Sequence, residues 1–247
     1  MDVVQGIERL TPGLGPVFVV VGVFDGLHLG HAYLLRHLVA EAARLDAAPT
    51  VITFDHHPDE VLVGNAPPLL IDPVERLERL AAAGVAVTVV QHFDDELRHT
   101  AYDTFIERIR ARVELRGLLM TPDAAFGFER RGTPDALATM GERDGFEVVV
   151  VPPFDLEGRP VRSSEIRDRI RSGDLGGAAQ LLGRPVTLTG TATDGDVAFE
   201  LPMAIPPDGR YTVTIGGSPS VAEILAGAIV LPADTPRGRI SVEFAGR

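Results

Sequence analysis

The 247-residue chain has no cysteine. That excludes disulfides, thiolate metal ligands and a cysteine nucleophile. Long apolar runs are also missing. No window approaches the roughly 18 uninterrupted apolar residues of a membrane-spanning helix. The N-terminal stretch "MDVVQGIERLTPG" carries Asp2 and Glu8 and has no basic-then-apolar leader pattern. These absences lead to the expectation of a cytoplasmic protein with no membrane partner. Positive charge is scarce: 23 basic residues face 35 acidic ones, for a net charge of −12. Such a field repels polyanions, so no nucleic-acid partner is expected. A small phosphorylated ligand remains compatible, because it needs only helix N-termini and a few arginines. Arg108, Arg110 and Arg112 alternate with apolar residues on a helical stretch and read as a solvated face; Arg130 and Arg131 form a second cluster. The 45% apolar and 23% charged composition supports a sizeable folded core.

Apolar runs alternate with helical patterns along the first two thirds of the chain. "VFVVVG", "TVITF", "VAVTVVQHF", "GLLM" and "FEVVVVPPF" read as five strands. The first helix is expected from about His31 to Leu45. In "DPVERLERLAAAG", Asp72 caps, Pro73 takes the first helical position, Glu75 completes a capping box and Gly84 closes the end. Thr100 is a candidate cap for "TAYDTFIERIRARVEL", and Thr133 with Pro134 opens "TPDALATMGERDG". "SEIRDRIRSG" and "DLGGAAQLLG" read as two further helices. The expected fold is α/β: a Rossmann-like, doubly wound, five-stranded parallel sheet with helices on both faces. After Pro185 the pattern changes to β-branched and small residues with Asp-Gly turn signals. Residues 1–185 are therefore expected to form one domain, and 186–247 a small all-β, barrel-like module.

Ligands of such sheets bind beyond the carboxyl ends of the strands. "GVFDGLHLGH" follows the first predicted strand directly. Its glycines, Gly26 and Gly30, suit a tight turn and a close backbone approach. Its histidines, His28 and His31, would stand about one turn apart at a helix start, where unpaired N–H groups and the helix dipole favour anions. Two imidazoles plus free amides suit the charge that develops on a phosphate during displacement. The absence of cysteine and of an obvious third ligand argues against zinc on this pair. Phe54, His57 and Pro58 follow the second strand, and Asp123, Phe126 and Gly127 the fourth. Phe54 and Phe126 can face a flat ring or belong to the core. Asp25 can orient the turn's backbone or water on a metal.

Four ordered segments resemble those of prokaryotic FAD synthetases, within the HxGH nucleotidylyltransferase superfamily. "GVFDGLHLGH" resembles the superfamily signature, and "TFDHHPDEVL" the T-F-x-P-H-P segment. "PDAAFGFERRGTPDAL" resembles the D-F-x-F-G segment, and "RSSEIRDRIRSGDLGGAAQLLGRP" the S-S-T-x-I-R helix with its closing motif. The resemblance implies adenylyl transfer: the phosphate of FMN attacks the α-phosphate of ATP, giving FAD and pyrophosphate without a covalent enzyme intermediate. It implies that His28 and His31 are catalytic. It assigns Gly22, Phe24, Asp25, Gly26, Gly30, Ser163, Ser164 and Arg167 to nucleotide and phosphate. Phe54, His57, Pro58, Asp123, Phe126 and Gly127 fall to the flavin acceptor. Mg²⁺ would be carried mainly by phosphate oxygens, with no dedicated protein ligand set.

Three departures stand out. Ala124 and Ala125 interrupt the D-F-x-F-G pattern, with Thr121 where a glycine is usual. His56 stands where proline is usual, and Arg162 where the first serine is usual. The family also carries a riboflavin kinase module with a G-x-P-T-A-N segment. No P-T-A-N occurs here, and about 60 residues resemble only the barrel framework. The expectation is an FMN adenylyltransferase without kinase activity. The alternatives are a repurposed nucleotidylyltransferase using another phosphorylated acceptor or another nucleoside triphosphate such as CTP, and a non-catalytic nucleotide- or flavin-binding protein.

Overall fold

All five predicted strands form, and a sixth joins them. The computed structural model of the chain describes residues 1–193 and 195–245; Asp194 of one Asp-Gly turn signal, with Gly246 and Arg247, lies outside them. The strands are β1 (Asp2–Gln5), β2 (Val17–Val21), β3 (Ala48–Phe54), β4 (Val87–Gln91), β5 (Leu115–Met120) and β6 (Glu147–Val150). Their order in the sheet is β1-β4-β3-β2-β5-β6, and every pairing is parallel. The unpredicted strand is β1. It is an edge strand of four mostly exposed residues with polar ends, so it needs no apolar run. Val17, Phe18, Val19 and Val20 of β2 are buried, covering both faces as a central parallel strand requires.

The helices are α1 (Leu29–Arg44), α2 (Asp59–Leu62), α3 (Pro73–Ala82), α4 (Asp95–Arg98), α5 (Tyr102–Arg110), α6 (Pro134–Asp144), α7 (Ser163–Ser172) and α8 (Leu175–Leu182). Asp72 Oδ1 accepts the N–H groups of Val74 and Glu75, so the predicted start of α3 forms. Thr133 caps α6 through the N–H of Ala136. Thr100 does not cap α5. Ala101 holds that position without a side-chain bond, and the Thr100 hydroxyl donates to Glu96 O at 2.9 Å. The reason is the intervening short helix α4, started by Asp94, whose C-terminal carbonyls Thr100 serves.

Contacts divide the chain into two compact units. The first comprises residues 1–24, 31–66 and 77–154. Its core joins Val19, Ile52, Val89 and Leu118 of the sheet to Phe105, Ile106, Ile109, Leu137 and Met140 of α5 and α6. The second comprises residues 25–30, 67–76 and 155–247. Among its described residues are the short hairpin β7 (Asp155–Leu156) and β8 (Arg159–Pro160), helices α7 and α8, and six strands. These are β9 (Thr187–Thr193), β10 (Asp196–Ala198), β11 (Gly209–Ile215), β12 (Ser218–Leu225), β13 (Ala228–Val230) and β14 (Gly238–Phe244). They close into an antiparallel barrel in the order β10-β13-β12-β11-β14-β9. Leu188, Val213, Ala222, Ile224, Ile229, Val242 and Phe244 are buried in it. The other Asp-Gly signal, Asp208-Gly209, does not make a hairpin. Gly209 opens β11, and the Asp208 carboxylate accepts the N–H groups of Ala226 and Gly227 in the β12–β13 turn.

Candidate active site

The segment after β2 has an unusual backbone. Phe24, Gly26 and Leu27 have φ values of 53°, 79° and 40°, in the left-handed region. For a residue with a side chain this costs about 1 kcal/mol or more and persists only where the surroundings enforce it. For Gly26 and Leu27, which belong to the second unit, other residues of that unit supply that enforcement. Asp25, 3% exposed, accepts the Leu70 N–H through Oδ1 at 2.8 Å and an Arg167 Nη2–H through Oδ2 at 2.5 Å. Arg167 Nε donates to Pro68 O at 2.8 Å. The Ser163 hydroxyl donates to Asp25 O at 3.0 Å, and Arg184 Nη2 to Gly26 O at 2.8 Å. Burial pushes the Asp25 carboxyl upward from its ordinary value, against the opposing pull of Arg167. The Asp25 carboxylate thus ties the turn to the Leu70 backbone and to Arg167. Arg167 likewise directs its guanidinium at Asp25 and Pro68.

His28 is 5% exposed. Burial, with repulsion from Arg184 and Arg167 added, lowers its pKa from 6.5 to about 4. Its imidazole is therefore neutral at pH 7 and can serve a phosphate as a hydrogen-bonding group rather than as a cation. A Cβ at Gly30 would lie 3.1 Å from the His28 ring, so the glycine makes room for this imidazole. His31 is the third residue of α1, which begins two residues before the expected start. Its ring centroid is 5.1 Å from that of Phe24. Ser163 and Ser164 occupy the first two positions of α7, after Arg162 at the cap position, which makes no side-chain capping bond. The backbone N–H groups of that first turn have no intrahelical acceptor.

A cavity of about 650 Å³ lies in the first unit beyond the carboxyl ends of β2, β3, β4 and β5. The sheet order reverses between β2 and β5, so this is where an open α/β sheet binds ligands. Five of the six predicted acceptor residues line it: Phe54, His57, Pro58, Phe126 and Gly127. Gly22 lines it too, as do Ala124 and Ala125. His57 Nδ1 accepts the Asp59 N–H at 3.2 Å, which leaves the other ring nitrogen as the donor in the neutral form. Asp123 is not in the wall. Its carboxylate accepts the Thr121 hydroxyl at 2.9 Å, and its carbonyl accepts from Arg130.

Sequence reasoning missed several residues here. Phe93 meets Phe54 edge-to-face at 5.3 Å in the cavity wall. It stands just beyond β4 as Phe54 stands at the end of β3, so the rule that found one would have found the other. Arg98 and Phe128 also line the wall. Arg184 follows the α8 stop signal Gly183, and nothing local marks it as the residue that grips Gly26.

Comparison with known proteins adds three findings. Residues 13–165 match the model of the family described as FAD synthetase. The bifunctional riboflavin kinase/FMN adenylyltransferase of Haemophilus influenzae is 31% identical over 198 residues, covering 79% of this chain and 64% of that protein. Its counterpart in Pseudomonas fluorescens is 28% identical over 196 residues, with 79% and 63% covered. The chain thus spans just under two thirds of the length of these relatives. A solved structure titled macrolide-efflux protein, from Streptococcus pneumoniae, is similar with a TM-score of 0.84. It covers 99% of this chain and 90% of that one at 21% identity, a likeness of fold. Since the family match covers more than half the chain and takes in the turn after β2, the cavity wall and the start of α7, the chain belongs to the FAD synthetase family.

Proposed function

We propose that the protein transfers the adenylyl group of ATP to the phosphate of FMN, releasing pyrophosphate. The observation that carries this reading is the cavity. Its volume of about 650 Å³ falls within the range that encloses a flat ring system of flavin size. Phe54, Phe93 and Phe126 offer it aromatic surface, and His57 and Pro58 edge the same wall. The two relatives reported above are described as bifunctional riboflavin kinase/FMN adenylyltransferases, which supports the same assignment. We assign the transferase to residues 1–185 and treat the barrel of 186–247 as an accessory module. The proposed compartment is the cytoplasm, where ATP is available.

In this mechanism an FMN phosphate oxygen forms a bond to Pα of ATP while the bond from Pα to the bridging oxygen of pyrophosphate breaks. The chain positions both reactants and stabilises charge on the transferring group. His28 donates a hydrogen bond as a neutral imidazole, and His31 adds a second. Ser163 and Ser164, with the amides of the first turn of α7, receive the outer phosphates. Asp25, Arg167 and Arg184 hold the turn in its left-handed conformation and act through His28 rather than on phosphate directly. Mg²⁺ held by the triphosphate oxygens would lower the charge of that group. The Asp25 carboxylate, already engaged by Arg167 and Leu70, is not offered to it.

The test is incubation of the protein with Mg²⁺, FMN and each nucleoside triphosphate in turn, with pyrophosphate and product mass read together. FAD from ATP alone is the expected result. Pyrophosphate only with a different acceptor or triphosphate would transfer the reading to a repurposed enzyme. Ala124 and Ala125 in the cavity wall mark where such a change of acceptor would act. Binding without turnover would leave only a ligand-binding role. No FMN is expected from riboflavin and ATP, because the barrel segment contains no P-T-A-N.

A further inference from the structure

Asp55 and His92 each stand one residue beyond the end of a strand. Those strands, β3 and β4, are paired neighbours, with Phe54 opposite Gln91. The Asp55 N–H donates to Gln91 O at 3.2 Å, which extends the pairing past the strand ends. The positions are therefore carried by rigid backbone rather than by a long loop. Across them, His92 Nδ1 lies 2.6 Å from Asp55 Oδ2, and His56 Nδ1 lies 3.2 Å from Asp55 Oδ1. One donor atom from each of Asp55, His56 and His92 falls within 4.8 Å of the others.

We propose that Asp55, His56 and His92 form a binding site for a divalent transition-metal cation, separate from any Mg²⁺ that accompanies the nucleotide. Four observations support it. The donor set of two imidazoles and one carboxylate suits zinc and its first-row neighbours rather than magnesium, which prefers oxygen. The spacing is right in scale: ligand atoms about 2.1 Å from a tetrahedral zinc sit roughly 3.4 Å apart. The observed separations need only small side-chain rotations to reach that. The carboxylate is already oriented, because Oδ1 accepts the N–H groups of His56 at 2.8 Å and Phe93 at 3.3 Å. Outer hydrogen bonds of that kind fix a ligating group in metal centres. Finally, the cluster is half-buried at Asp55 and exposed at His56 and His92, which leaves it open to a cation from solvent. Three protein donors leave at least one coordination position for water or an anion.

His56 is central to the idea. It is one of the positions at which this chain departs from the segment it resembles, where proline is usual, and a proline could supply no ligand. The site is thus a property of this chain's own residues.

The experiment is calorimetric titration of the untagged, full-length protein with Zn²⁺ alone, repeated on His56→Ala and His92→Ala. Both side chains are substantially solvent-accessible, and melting curves check that each variant folds like the parent. Wild type is expected to bind one Zn²⁺ per chain, and each substitution to weaken binding by at least about tenfold. In proton NMR spectra the imidazole signals of His56 and His92 should shift on Zn²⁺ addition while that of His99 does not. Co²⁺ should give the visible absorption of a low-symmetry site, lost in both variants. Absence of saturable binding by the wild type would overturn the proposal. So would binding that survives both substitutions, since it would place the cation on other histidines.

Discussion

The buried imidazole of His28 makes stability depend on pH in a defined window. In the unfolded chain this group takes up a proton near pH 6.5; in the folded protein it resists until about pH 4. Between those values the unfolded state binds more protons than the folded one. The contribution of His28 is therefore fully present above pH 6.5 and is lost as the pH falls towards 4. A shift of about 2.5 units corresponds to roughly 3 kcal/mol over the whole window, and about 2 kcal/mol of it is lost between pH 7 and pH 5. The perturbation is His28→Gln, which keeps a hydrogen-bonding side chain and removes the titration. Urea unfolding of both proteins at pH 7 and pH 5 gives four stabilities. Every other titrating group is common to the pair, so the difference of differences isolates His28. The wild type should lose about 2 kcal/mol more than the variant on going to pH 5. Parallel losses in the two proteins would refute the reasoning, as would an NMR titration of the His28 ring centred near 6.5.

Three further predictions concern the brace, the cavity wall and the chemistry. Arg167→Ala leaves the buried Asp25 without its guanidinium partner and should destabilise the protein by about 3–5 kcal/mol in urea unfolding; a loss below about 1 kcal/mol would contradict the brace. Gly127→Ala combines a φ of +76° with a Cβ 2.6 Å from Tyr102 N, so melting should register a loss of at least about 1–3 kcal/mol. His31→Ala should lower turnover in FAD formation on the order of 10²-fold while the unfolding midpoint changes little; full activity would remove His31 from the transition-state contacts.

Much of this structure was legible because its signals are local. The valine run of β2, the Asp72-Pro73 and Thr133-Pro134 starts, and the glycine and histidine pattern after β2 each state their conformation within a few residues. The missed features depend on distant partners. Strand β1 is recognisable only through β4, since its four residues carry no apolar alternation of their own. Thr100 looked like a cap because α4, a four-residue helix, hides in "DELR". The pairing of Asp25 with Arg167 is invisible in the sequence because the two stand 142 positions apart. Five of the residues predicted for the acceptor line one cavity, because strand ends place them there. Asp123 did not, because the segment after β5 turns its carboxylate to Thr121. Asp55, His56 and His92 went unseen as a group because β3 and β4 bring together residues 37 apart.

The brace on the turn after β2 has a consequence for the order of folding. Asp25 and Gly26 are translated well before their partners Ser163, Arg167 and Arg184, which lie 138, 142 and 158 positions further on. Contacts that close such long loops form late. A nascent chain ending near residue 154 already holds every strand of the parallel sheet, but none of these three grips. Its first turn would relax to ordinary backbone angles. The turn after β2 is thus translated before the residues that shape it, so a chain stalled near residue 154 would carry the sheet without the braced turn.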